Sequence, residues 1–148
     1  MNGKLGFLIF LVLGSVGLYV GYQHAGQAPQ LAGAQMIARQ SEYQAALQES
    51  KRTGKPVILD FYADWCGPCR WMKANTWNDA RVTAAMRNYV FLSVNVDQNA
   101  ELSHLFGISS IPHVVVISPE GKLLASQVGA MPPERLLSWL PEAKPIEQ

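Results

Sequence analysis

Cys66 and Cys69 are the two cysteines of this chain of 148 residues, and only Gly67 and Pro68 separate them. The apolar run Val57–Tyr62 predicts a buried strand, and the residues after Cys69 favour a helix. Cys66 is then at a helix amino terminus, where free N–H groups and the helix dipole stabilise an anion. Gly67 has no Cβ to crowd an incoming sulfur, and Pro68 suits the first helical turn. We therefore expect a redox-active dithiol in which Cys66 is exposed and Cys69 is buried.

Three other roles for this cysteine pair can be weighed from the sequence. A disulfide across two residues constrains few unfolded conformations, so it would stabilise a fold very little. A zinc site normally needs four ligands, and only His24, His104 and His113 are available to complete one. Cu(I) transfer is a better alternative, because soft thiolates suit Cu(I). The position at a helix start favours redox chemistry.

The amino-terminal stretch Leu5–Tyr22 carries no charged residue. At about 1.5 Å per residue it nearly spans a hydrocarbon core of about 30 Å. We therefore predict a membrane anchor over residues 1–22, with a cleaved signal peptide as the alternative. Residues 23–33 are rich in Gln, Ala and Gly and favour a flexible linker, and residues 34–148 are predicted to form one domain. With Lys4 in the cytoplasm, that domain faces the other side of the membrane.

The charge of the chain excludes one class of partner. The formal net charge is only +1, and no basic cluster is interleaved with aromatic residues. Nucleic-acid binding depends on such a basic surface, so we expect no nucleic-acid partner.

The elements predicted around the cysteines alternate between strand and helix before they end in a hairpin. Short turns and candidate capping residues bound most of them. This order implies an α/β fold with a central mixed sheet flanked by helices. Besides Val57–Tyr62 and the cysteine helix, the predicted elements are an edge strand at Gln35–Arg39, a helix from Ser41 to about Arg52, a helix capped by Asn78 or Asp79, strand Val90–Val96, a helix over Ala100 to Phe106, strands Val114–Ile117 and Leu123–Val128, and a helix that begins at Pro132-Pro133.

The aromatic and basic residues near the cysteines have simpler interpretations. Trp65 is expected to flank Cys66 as a partly exposed apolar surface for docking, with simple packing as the alternative. Arg70 and Lys73 are assigned to a solvated helix face. The remaining tryptophans are assigned mainly to packing: Trp71, Trp77 and Trp139.

The motif and the order of elements together resemble the thioredoxin superfamily. Trp65-Cys66-Gly67-Pro68-Cys69 matches the active-site sequence of thioredoxin residue for residue, and the resemblance covers nearly all of the predicted domain. A second set of residues looks more like the periplasmic C-terminal domain of the membrane reductase DsbD and its small relatives. The residues that match thioredoxin continue through Val94–Asn99, Gly107-Ile108, Ile111-Pro112 and Val128–Ala130. The residues that look more like the DsbD domain are Trp77-Asn78-Asp79 with Val82. The resemblance implies a thioredoxin fold after the anchor.

The resemblance assigns a role to Asp60, which precedes Cys66 by six residues. The matching aspartate of the family is buried behind the cysteines and exchanges protons with the second one. Burial is expected to raise its pKa and make it a better base near neutrality. The alternative is a strand-end carboxylate that faces water. Thioredoxin has a lysine near this aspartate, whereas Ser93 occupies the matching position here.

The resemblance also implies how a substrate binds. Ile111-Pro112 matches a cis-proline turn that lies against the cysteines, where the residue before the proline offers backbone hydrogen bonds to the substrate. The alternative is an ordinary trans proline that starts a strand. Trp65, Gly67 and Pro68 complete the expected substrate contacts. For His113 two interpretations stay open: a protonated imidazole that favours the Cys66 thiolate, or a solvated surface histidine.

The function implied is that of a thiol–disulfide oxidoreductase, most simply a reductant of periplasmic protein disulfides that acts through a mixed disulfide. We expect no cofactor or metal beyond the Cys66–Cys69 disulfide. For a Gram-negative source, the chain would be a single-pass inner-membrane protein with its domain in the periplasm. Its electrons would come from a membrane-embedded donor such as DsbD. The alternatives are a Cu(I)-handling protein, a thiol oxidase or isomerase, and an adaptor without turnover.

Overall fold

The computed structural model describes residues 42–141, which form five helices and four strands. The boundaries agree with the sequence predictions to within a few residues, because apolar runs and capping residues define most of them. In chain order the elements are α1 (42–53), β1 (Val57–Tyr62), α2 (Gly67–Asn75), α3 (Ala80–Met86), β2 (Val90–Asn95), α4 (Ala100–Leu105), β3 (His113–Ile117), β4 (Leu123–Val128) and α5 (Pro133–Trp139).

The predicted anchor, linker and edge strand lie outside the described residues. They are Leu5–Tyr22, residues 23–33 and Gln35–Arg39, and they stay predictions. Within residues 42–141, no helix combines the length and the apolar character needed to cross a membrane.

The four strands form a mixed sheet in the order β2-β1-β3-β4. β1 runs parallel to β2 and antiparallel to β3, and β4 completes the predicted hairpin with β3. The register places Asp60 between Ser93 of β2 and Val114 of β3. The central position of β1 explains its apolar sequence, since helices cover both faces of a central strand.

Side chains of β1 alternate between the two faces of the sheet and supply both cores. One face, with Leu59 and Phe61, packs against residues of α1 and α4. The other face, with Ile58 and Val114, packs against Met72 of α2 and against residues of α3 and α5. β1 therefore ends under the helix that carries the cysteines.

Candidate active site

Cys66 caps the amino terminus of α2, as the order of strand and helix predicts. Its backbone is extended, with φ of −77° and ψ of 108°, and its Sγ accepts a hydrogen bond of 3.2 Å from the backbone N–H of Cys69. The first turn of α2 contains no acidic residue that would oppose a negative charge there. In the reduced protein this arrangement favours a thiolate at Cys66, because the amide and the helix dipole both stabilise an anion.

The two cysteines form a disulfide, with a Cα–Cα distance of 5.3 Å. Both lie in a small apolar cluster with Ala63, around which Tyr62, Val96 and Ile111 pack. The expectation that only Cys69 is buried is wrong for this oxidised form, since Cys66 is 4% exposed and Cys69 6%. Both cysteines are covered by the residues packed around this cluster.

The two residues between the buried cysteines lie at the surface of the protein. Gly67 and Pro68 are both exposed. A Cβ at Gly67 would have nothing within 4 Å, so no group of the described chain fills the space above it. An incoming sulfur can use that space.

Trp65 stands beside the disulfide with 67% of its surface exposed, so the packing alternative is wrong. Its indole N–H donates a hydrogen bond of 2.9 Å to the Asp97 carboxylate, which holds the ring in place. Asp97 lies within the stretch that carries the resemblance, but no separate sequence signal singles it out. The fixed indole gives a partner an apolar surface at low entropic cost.

A surface groove begins at Trp65 and runs beside the cysteine cluster. Trp65 and Ile111 are among its lining residues, together with Val96, Ile108, Ser109 and Ser110. Two of these, Val96 and Ile111, also pack on the disulfide. A chain segment bound in the groove would therefore lie next to the reactive sulfurs.

The Ile111-Pro112 peptide bond is cis, as the resemblance implies. The Pro112 carbonyl accepts a hydrogen bond of 2.8 Å from the N–H of Gly129, which fixes the turn against the end of β4. Ile111 precedes β3 and contacts the cysteine cluster. Its backbone groups are placed beside the groove, and their hydrogen bonds to a substrate stay a prediction.

Asp60 is 7% exposed, so the alternative of a carboxylate facing water is wrong. Burial raises the pKa of Asp60 to about 7, although a hydrogen bond from Trp77 and the charge of Lys73 both act to lower it. A carboxyl group with this pKa can gain or lose a proton at neutral pH. The sequence analysis missed both partners: it assigned Trp77 mainly to packing and Lys73 to solvent.

The position of His113 contradicts both interpretations made from the sequence. Only 8% of its surface is exposed, and burial lowers its pKa, so it is neither solvated nor protonated at neutral pH. Its Nε2 lies 2.7 Å from the hydroxyl of Ser126, and its buried Nδ1 has no hydrogen-bond partner among the described residues. The cause is the register of β3, which begins at His113 opposite Phe61 and so turns the ring towards a core face.

The assignment of Trp71 needs adjustment. Trp71 was assigned mainly to packing, yet 45% of it is exposed on α2. Within residues 42–141, no group of three or more His, Cys, Asp or Glu side chains is arranged to hold a metal ion.

Comparison with known proteins agrees with this geometry. Residues 43–144 match the family described as Thioredoxin-like domain. Over 74 residues the chain is 43% identical to the thiol:disulfide interchange protein DsbD of Ralstonia nicotianae, a match that covers 49% of this chain and 12% of that protein. It is 34% identical over 96 residues to the thioredoxin of Mycoplasmoides gallisepticum, covering 65% of this chain and 92% of that protein.

A solved structure of a related domain has the same fold. The oxidised C-terminal domain of DsbD from Neisseria meningitidis superposes with a TM-score of 0.57 at 31% sequence identity, covering 70% of this chain and 90% of that one. The chain spans only a small part of the whole DsbD of Ralstonia nicotianae but nearly all of a thioredoxin. It belongs to the thioredoxin-like domain family, and it is a thiol–disulfide oxidoreductase with a Cys-x-x-Cys pair at disulfide distance.

Proposed function

We propose that this chain reduces disulfide bonds of proteins in the bacterial periplasm, with Cys66 as the attacking thiol and Cys69 as the resolving one. The observation that carries the proposal is the position of the Cys66 sulfur: it accepts the Cys69 N–H at the start of α2, beside an apolar groove. A thiolate in this place can attack a disulfide that lies in the groove.

The proposed reaction consists of two exchanges. The Cys66 thiolate attacks one sulfur of the substrate disulfide, that bond breaks, and the first substrate thiolate leaves and takes up a proton. Asp60 then accepts the proton of the Cys69 thiol, and the resulting thiolate attacks the Cys66 sulfur. The mixed disulfide breaks, and the second substrate thiolate leaves and is protonated. Two electrons pass to the substrate, and the Cys66–Cys69 disulfide forms without any further cofactor.

The reducing direction is supported by the residues around the cysteines. Gly67-Pro68 between the cysteines, and Ile111 before the proline, are the residues found in thioredoxin. Thioredoxin has a reduction potential of about −270 mV, whereas that of the oxidant DsbA is about −120 mV. The periplasm is kept oxidising by DsbA and its partners, so a reductant there needs electrons from across the membrane. We propose a membrane-embedded donor of the DsbD type.

The direction of electron flow can be measured in cells. The redox state of the Cys66–Cys69 pair is preserved by treating the cells with acid and then alkylating the free thiols. We expect the pair to be mostly reduced in normal cells and to become oxidised in cells from which the membrane donor is deleted. We also expect the isolated protein to have a reduction potential below about −200 mV, clear of the range of isomerases and oxidants. A pair that is oxidised in normal cells, with a potential near that of DsbA, would identify an oxidase instead.

The proposed location rests on the amino-terminal sequence. Lys4 is the only charged side chain before Leu5–Tyr22, so a retained anchor would keep it in the cytoplasm and place the domain in the periplasm. A reporter enzyme fused after Gln148 is expected to be active only if it is a type that works in the periplasm. Mature protein that begins near Pro29 and stays in the soluble fraction would contradict the anchor and support a cleaved signal peptide.

A further inference from the structure

The helix that carries the cysteines is tied at its far end to the loop between β4 and α5. Thr76 caps the carboxyl end of α2. Its hydroxyl donates a hydrogen bond of 2.6 Å to the backbone carbonyl of Met131, a residue 55 positions further along the chain. Thr76 and Met131 are both 0% exposed. Solvent therefore has no access to this carbonyl and cannot replace the hydroxyl as its donor.

The same loop holds the Ile111-Pro112 turn. The N–H of Gly129 is the donor of the 2.8 Å hydrogen bond to the Pro112 carbonyl. Only Ala130 separates Gly129 from Met131. Two backbone groups of the 129–131 loop thus bond to two different parts of the molecule, the end of α2 and the turn before β3.

Both of these parts belong to the candidate active site. α2 begins at the Cys66 sulfur, and Ile111 packs on the cysteine cluster and lines the groove. None of the residues of the 129–131 loop is among those that line the groove. The loop therefore connects the cysteine helix to the turn from behind, where it stays in place when a substrate enters.

We propose that Thr76 is a positioning residue for substrate binding: its bond to Met131 fixes the 129–131 loop, and that loop fixes the Ile111-Pro112 turn. Loss of the hydroxyl leaves the buried Met131 carbonyl without this donor, which is costly. The loop is then expected to shift, and its bond to Pro112 loosens with it. A looser turn has to be ordered each time a substrate binds, so binding weakens while the reacting sulfurs are unchanged.

This inference rests on the contact between a substrate and the Ile111-Pro112 turn, which is part of the proposed function, but not on the direction of electron flow. A mixed disulfide on Cys66 forms in reduction and in oxidation alike. A cysteine pair found oxidised in cells would overturn the reductase proposal and leave the role of Thr76 to be decided by its own experiment.

The experiment compares two disulfides that have the same leaving group. One is a short apolar peptide whose single cysteine is joined to thionitrobenzoate, and the other is free cysteine joined to thionitrobenzoate. The reduced full chain attacks the cysteine sulfur of either one through Cys66, which forms a mixed disulfide and releases the coloured thiolate. Rates at increasing peptide concentration give a maximal rate and a half-saturating concentration. The cysteine disulfide has no chain segment to fill the groove, so its rate reports the exchange chemistry alone.

Thr76→Val keeps the shape of the side chain and removes the donor. We expect it to raise the half-saturating peptide concentration about fivefold, which corresponds to the net loss of one hydrogen bond. The maximal rate with the peptide, and the rate with the cysteine disulfide, are expected to stay within about twofold of the wild type. Thr76→Ser keeps the donor and should retain the wild-type half-saturating concentration. Thr76→Ala removes the same donor and is measured instead should the valine variant fail to fold.

Hydrogen exchange of the Gly129 amide reports the loop directly. This amide is the donor to Pro112, so we expect it to exchange faster with solvent in Thr76→Val, while the amides of β1 keep their protection. Faster exchange at Gly129 together with unchanged peptide binding would overturn the role in substrate binding. Weaker peptide binding with unchanged exchange at Gly129 would overturn the route through the loop.

Ser50→Ala is the matched control for a general loss of stability. Ser50 is also 0% exposed, and its hydroxyl donates a hydrogen bond to the Lys55 carbonyl after α1, away from the residues that line the groove. We expect this variant to unfold at a lower urea concentration and to keep the wild-type half-saturating peptide concentration. The proposal is overturned if Thr76→Val leaves that concentration unchanged, or if Thr76→Ser or Ser50→Ala raises it as far as Thr76→Val does.

Discussion

Cys66→Ser is expected to abolish disulfide exchange, whereas Cys69→Ser is expected to convert the protein into a covalent trap for its substrates. The sulfur of Cys66 lies at the amino end of α2, where it accepts the N–H of Cys69. A serine hydroxyl at that place does not ionise at neutral pH and forms no disulfide, so attack is lost completely.

Loss of the second sulfur has a different consequence. In Cys69→Ser the first exchange still occurs, because Cys66 keeps its position at the helix start. The mixed disulfide that forms has no neighbouring thiol to resolve it, since Cys66 and Cys69 are the two cysteines of the chain. Covalent complexes should therefore accumulate until an external thiol releases them.

Both outcomes can be read from one experiment. Cells that express each variant are treated with acid and a thiol-blocking reagent, and the complexes are separated without reductant. We expect bands of higher mass in Cys69→Ser that disappear on reduction, and none in Cys66→Ser or in the double variant. Complexes in Cys66→Ser but not in Cys69→Ser would reverse the two roles.

The fold was predictable from the sequence because its signals are local. The run Val57–Tyr62 is apolar enough to mark a central strand, and the structure has these bounds. Asp79 was one of two candidate caps for α3, and its carboxylate accepts the N–H groups of Arg81 and Val82. The bounds of β3 were less certain, because pairing with neighbouring strands rather than residue type brings His113 into the strand.

The parts of the site that the sequence missed depend on contacts between distant segments. The bond from Trp65 to Asp97 joins residues 32 positions apart, and the ring of His113 is covered only because the strands pair in this register. Lys73 is exposed, as its place on a solvated helix face predicts, yet its charge acts to lower the pKa of Asp60. Neither periodicity nor spacing contains this information.

Asp60→Asn is expected to stabilise the oxidised protein above neutral pH. The carboxyl group has an ordinary pKa of 3.8, and burial raises the pKa of Asp60 to about 7 in the folded protein. Between these values the folded state binds more protons than the unfolded state, so stability falls as pH rises from about 4 to 7 and stays low above 7. A difference of about three pH units corresponds to a free energy of unfolding on the order of 4 kcal/mol.

Asparagine avoids this loss because it stays neutral at every pH. It has nearly the shape of the acid, and its carbonyl oxygen can still accept the hydrogen bond of Trp77. The gain in stability is therefore expected to be small near pH 4, to grow as the pH rises, and to level off above pH 7. Urea titrations of the oxidised wild type and variant at several pH values measure it.

Asp64→Asn provides a matched control, because Asp64 is an exposed aspartate of the loop after β1. We expect it to show no comparable gain that grows with pH. A gain from Asp60→Asn that is the same at pH 4 and pH 8 would mean that shape or packing, and not the buried charge, accounts for it.

The same substitution is expected to slow the closure of the Cys66–Cys69 disulfide. Asparagine accepts no proton from the Cys69 thiol, so closure from the glutathione mixed disulfide at pH 7 should fall at least about tenfold. Stability and activity then change in opposite directions in one variant, which is expected where a buried group is kept for its chemistry. An Asp60→Asn protein that becomes more stable but closes its disulfide at the wild-type rate would show that Asp60 is not the base.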